Sequence, residues 1–165
     1  MKKLAIILSV FLIAGSVGAE EPGSRSFVKQ YSGQEGYSVV TIKKTALKLL
    51  SMVARAGGTP KEEMAIFSRI DDIQVLSCPA RKDKADAFEG ALLGFCETNG
   101  YESLLQSEES GEVVQIYCAL KEDAITSFMI WSRKGDMVET VFLNGRFTAE
   151  DMKKMMDKKG KNFGW

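Results

Sequence analysis

Between Glu112 and Phe147 apolar residues form three runs: Glu112–Lys121, Ala124–Arg133 and Met137–Asn144. The runs are rich in Val, Ile, Tyr, Phe and Trp, residue types that suit a pleated, half-buried surface. Glu122–Asp123 and Lys134–Gly135–Asp136 separate them. Connections this short join antiparallel strands, because a parallel pair needs a long crossover. The pattern therefore predicts a C-terminal β-meander.

Elsewhere the spacing changes. Ala46, Leu49, Leu50 and Val53 recur at helical intervals within Lys43–Ala56, with Lys43, Lys44 and Lys48 turned to water. Thr59-Pro60-Lys61-Glu62 reads as a capped start to a second, short helix. Ala85, Phe88, Leu92 and Phe95 mark the longest helix, over Asp83–Asn99. Thr148 can cap a last one, striped by Met152, Met155 and Met156. Tyr37–Ile42, Ile70–Cys78 and Tyr101–Gln106 read as further strands. The order predicts an α+β fold: a mainly antiparallel sheet of about five to six strands with helices packed on one face. No repeat or internal linker divides it, so 37–159 reads as a single domain. Residues 20–36 read as a leader with a short helical turn, in which Phe27 and Tyr31 share a face, and 160–165 as a flexible tail.

Residues 1–19 have the form of a secretory signal peptide. Lys2 and Lys3 precede the apolar run Leu4–Ala14, and Val17 and Ala19 fit a cleavage site before Glu20. Loss of this segment leaves 20 basic and 22 acidic side chains. A net charge of −2 gives nucleic acid no bulk electrostatic attraction. The charge is uneven: Glu97–Asp123 carries seven acids against Lys121 alone, and Arg146–Trp165 six bases against three acids. Solvated faces account for such runs.

The chain has no histidine. A Ser–His–Asp triad, a Cys–His pair and histidine-built zinc sites therefore cannot be assembled within it. Gly57–Gly58 lacks the context of a phosphate loop. Asp71–Asp72, Glu108–Glu109 and Glu122–Asp123 offer carboxylate pairs, but as sequence neighbours in polar stretches they fit turn chemistry better than a hydrolytic pair. Ser51 and Ser132 have basic neighbours without a diagnostic spacing. No residue is assigned as catalytic, cofactor-binding or metal-binding, and no cofactor is expected. Cys78, Cys96 and Cys118 are odd in number, so at least one is unpaired within a chain. An oxidising compartment permits one disulfide, but three small buried hydrophobes is the favoured reading.

The strand faces carry the functional lead. In Ala124–Arg133 one parity holds Phe128 and Ile130, the other Ile125, Met129 and Trp131. A sheet wet on one side should alternate more cleanly. An apolar patch is expected on the face away from the helices, with Tyr117, Phe128, Met129 and Trp131 as its candidates and Phe128 or Trp131 left in the open.

Several motifs fit a known family. Phe27-x-Lys29-x-Tyr31-Ser32-Gly33-x-x-Gly36, the strand Ile73-x-Val75-Leu76-Ser77, Tyr101–Leu105 and Phe142-Leu143-x-Gly145-x-Phe147 together span Phe27 to about Lys159. The chain resembles the exported bacterial family classified as domain of unknown function 4252. The resemblance implies a small α+β domain in the periplasm or cell envelope of a Gram-negative bacterium. It implies no catalytic residues. Some members resemble lipid-anchored proteins, and this chain departs from them in having no Cys near residue 20.

The expected function is a non-catalytic binding module that meets an envelope protein or an apolar ligand through the sheet. The alternatives are a weak carboxylate-dependent hydrolase and a membrane-surface module using the basic, Met-rich C-terminal helix. No transmembrane span is expected once the signal is removed.

Overall fold

The computed structural model describes residues 23–154, with the side chains of residues 62 and 63 excepted. Residues 1–19, read above as a signal peptide, and Met155, Met156 and residues 160–165 lie outside the described residues. In chain order the elements are α1 (Gly23–Tyr31), β1 (Ser38–Lys43), α2 (Lys44–Ala56), α3 (Lys61–Phe67), β2 (Ile70–Ser77), α4 (Lys82–Thr98), β3 (Tyr101–Glu109), β4 (Glu112–Lys121), β5 (Ala124–Lys134) and β6 (Met137–Phe147). A final helical segment begins at 149.

The six strands form one antiparallel sheet in the order β1-β2-β6-β5-β4-β3. The fold is α+β, and the C-terminal meander is its larger half. β3 also continues to Glu109, so four consecutive strands are joined by tight turns. Those turns use positive φ at Ser110, Gly111, Glu122 and Gly135.

The helices do not all lie on one face. Phe27 and Val28 of α1 and Phe88, Leu92, Phe95 and Cys96 of α4 pack on one side, against Leu76, Met129, Trp131, Val138 and Phe142. Leu47 of α2 packs on the other side with Cys118, Phe128, Phe147 and Met152. The hydrophobic parity of β5 runs both ways because both faces receive cover.

The first face is an aromatic core. Phe27 lies 4.9 Å from Phe95 and 5.2 Å from Tyr31, and Phe95 lies 5.6 Å from Phe142, between ring centroids. The segment read as a leader is thus a helix of the core, with Phe27 and Val28 buried. Arg133 of β5 ties down α4 through Asp86 (2.7 Å) and Glu89.

Two glycines of the sequence motifs have steric reasons. Gly36 sits at φ +82°, where a β-carbon would also press on the Pro79 ring at 2.7 Å. A β-carbon at Gly145 would run into the Arg69 backbone carbonyl, which accepts a bond from Arg146 N at 3.1 Å.

Helix ends follow the sequence only in part. Thr148 and Asp151 form a reciprocal cap, with Thr148 N donating to Asp151 Oδ2 (2.8 Å) and Asp151 N to Thr148 Oγ1 (3.3 Å). The Thr148 N–H, joined by the Thr148 hydroxyl that donates to the same oxygen (2.9 Å), holds the Asp151 carboxyl below the usual range. At α3 the cap position is Pro60, with no side-chain cap bond.

Candidate interaction surface

Each strand sends alternate side chains to opposite faces. On the second face, away from α1 and α4, the pairing register lines up Ile42, Ile73, Leu143, Phe128 and Cys118 in one row across five strands. Leu47, Phe147 and Met152 cover this row. Two residues along each of these strands lies a second row: Val40, Val75, Val141, Ile130 and Ile116, continued on β3 by Leu105. It runs the full width of the sheet, about 24 Å at the usual strand spacing. Its inner four members are half-buried, and Val40 and Leu105 at the ends are 50% and 49% exposed. The next row out is mostly polar: Ser38, Ser77, Glu139, Ser132, Val114 and Ser107. The second face is therefore sealed at one end, apolar and half-open in the middle, and polar at the other end.

The four candidate residues are placed differently from the expectation. Phe128, Met129 and Trp131 are 7%, 0% and 2% exposed. Phe128 belongs to the core of the second face, Met129 and Trp131 to that of the first. Tyr117 is half-buried at the edge of the first core. The residues left half-open are the aliphatic ones. Sequence reasoning passed over them because Val and Ile in a strand are ordinary, and only the cross-strand register shows that six of them align.

The opposite face holds a buried polar chain. Tyr101 Oη donates to Ser127 Oγ (2.8 Å), and Ser127 Oγ donates to Asn144 Oδ1 (2.9 Å). Ser24 Oγ of α1 donates to the same oxygen (2.8 Å). Asn144 Nδ2 then donates to Asp72 Oδ1 (2.8 Å), and Arg25 Nε to Asp72 Oδ2 (2.8 Å). The bonds run in one direction and end on an ion pair at the rim. They tie α1 to β2, β6, β5 and β3. Burial pushes the Tyr101 hydroxyl above its usual range, against the opposing bond with Ser127. The chain is poorly suited to catalysis: both serines donate to an amide oxygen, which is too weak a base to activate them.

The other chemical candidates stay apart. Asp71 and Asp72 alternate across the strand, so Asp71 is exposed and bonded to Lys44 (2.7 Å) while Asp72 is buried. Glu108 and Glu109 are exposed on β3, and Glu122 and Asp123 are exposed in the β4–β5 turn. Ser51 Oγ donates to the Lys48 carbonyl (2.7 Å). Cys78, Cys96 and Cys118 are free thiols and buried. Burial pushes the Cys96 thiol up to about 12. Among the described residues no group of three or more metal-ligating side chains comes together. No helix among them is long and apolar enough to cross a membrane.

A family model described as Domain of unknown function (DUF4252) matches residues 31–155, most of the chain. The chain belongs to this family. No match is found among curated proteins or among solved structures. The motifs that carry the family likeness fall on both faces: Phe27, Tyr31, Leu76 and Phe142 belong to the first core, Ile73, Leu143 and Phe147 to the second, and Gly36 and Gly145 lie close against Pro79 and Arg69. Of the half-open row they include Val75 and Leu105.

Proposed function

We propose that this protein is a non-catalytic binding module of the bacterial cell envelope. In this reading it is exported by residues 1–19 and takes an apolar segment of another envelope protein on the second face of its sheet. The observation that carries the reading is the row Val40–Val75–Val141–Ile130–Ile116–Leu105, aligned across six strands and only partly covered. A contiguous apolar strip rimmed by polar residues marks an interaction surface. The row lies on a sheet, whereas small apolar ligands bind in concave pockets, so a protein segment is the better fit. The absence of histidine and the separation of the carboxylates take support from a hydrolytic role.

An apolar fluorescent dye and the chain of residues 20–165 test this reading. The background carries Leu49→Ser, Leu50→Ser, Met52→Ser and Val53→Ser, which removes the large exposed apolar side chains of α2. In that background the dye should bind, and Ile130→Lys with Val141→Lys should abolish binding without unfolding the chain. Equal dye binding with and without the lysines overturns the reading, as does a dye-negative background protein.

A further inference from the structure

We propose that α2 docks this protein on the headgroup region of an anionic lipid bilayer. The helix touches the core through one large residue, Leu47. The remaining apolar residues at helical spacing turn outward: Leu49, Leu50, Met52 and Val53 are 60%, 55%, 66% and 72% exposed. The stripe that the sequence pattern assigns to the core is thus the stripe left uncovered. Its surroundings are basic. Lys43, Lys44, Lys48, Arg55 and Lys61 are all exposed, and the sequence has no acid between Glu35 and Glu62. Asp71 from β2 meets Lys44 in a surface pair.

Charge decides what can cover this stripe. A second copy laid on α2 would set lysine against lysine. The chain's own residues 158–165 carry three lysines and no acid, so the same repulsion opposes them. An occupant must be anionic on its surface and apolar beneath it, as the headgroup and acyl boundary of an anionic bilayer is. Four large apolar side chains, each more than half exposed, are available to enter the headgroup and acyl boundary. At 13 residues α2 is about 20 Å long, too short to span a bilayer, so it lies in the interface. This surface is separate from the open sheet row, and neither depends on the other.

Sedimentation with vesicles tests the proposal, using the chain of residues 20–165 so that the signal segment cannot insert. Vesicles rich in phosphatidylglycerol should carry the protein down, pure phosphatidylcholine vesicles should not, and added salt should release it. Leu49→Ser with Leu50→Ser and Val53→Ser should weaken binding at least about tenfold. Lys48→Glu with Arg55→Glu should do the same. All five positions are exposed, and circular dichroism and a denaturation curve confirm that the variants fold. Leu93→Ser with Met137→Ser, exposed residues outside α2 and outside the sheet row, should bind as wild type. Removal of residues 158–165 should leave binding unchanged. The proposal is overturned if the wild-type chain stays in the supernatant, if neutral lipid binds it equally, or if only removal of 158–165 abolishes binding.

Discussion

Val141 and Phe142 are adjacent in β6, and they stand for the two faces of the sheet. Phe142 points into the aromatic core closed by α1 and α4, where it is fully buried. Val141 points the other way, into the row that stays half-buried. Both faces are built from residues of high strand propensity. They differ in how many large side chains the helices deliver. Two helices supply Phe27, Val28, Phe88, Leu92 and Phe95 to the first face, and α2 supplies only Leu47 to the second. A strand's composition therefore does not say whether its face is closed. The facing element decides that, and here an amphipathic helix spends most of its apolar stripe on solvent.

The contrast predicts a graded set of effects. Phe142→Ala should cost about 3–5 kcal/mol in chemical denaturation, through lost burial and the cavity left behind. Val141→Ala, one residue away, should cost roughly 1 kcal/mol, since the side chain is half in water already. Equal costs would mean that the second face is as closed as the first.

The polar chain beneath the first face ranks next. Asp72→Ala strands Asn144 Nδ2 and removes the carboxylate from Arg25. The expected loss is about 2 kcal/mol, moderated because Arg25 is a third exposed. Asp71→Ala, exposed on the opposite face, should change stability by less than about 0.5 kcal/mol.

Alkaline pH should act mainly on the first face. Tyr31, Tyr37, Cys78, Cys96, Tyr101 and Tyr117 all belong to it, and burial raises each. These groups are neutral while protonated. Unfolded thiols ionise near 9.0 and phenols near 10.0, whereas Cys96 and Tyr31 in the fold hold their protons to about 12. Stability is therefore intact below about pH 9 and falls as pH rises from there toward 12. Cys96→Ala should flatten the early part of that fall. A stability profile level up to pH 12 would show that these groups ionise as freely in the fold as outside it.

The smallest effect is optical. In a Trp165→Phe background, Trp131 emission should be blue-shifted and resist iodide, since the ring is 2% exposed within the first core. Ready quenching would place it in the open after all.

The sequence by itself determined the strands, the antiparallel meander and the absence of histidine-dependent chemistry. These are local matters: alternation, turn length and residue identity need no knowledge of what lies across the sheet. It also marked Gly36 and Gly145, although the reasons, Pro79 and the Arg69 carbonyl, lie 43 and 76 residues away. The tertiary structure decided which apolar residues are hidden. Trp131 and Phe128 were legible as large and apolar, but their burial depends on α4 and α2 arriving from elsewhere in the chain. The half-open row was illegible for a related reason. Its six members come from six strands, one from each, and only the hydrogen-bond register that sets one strand beside the next brings them into line.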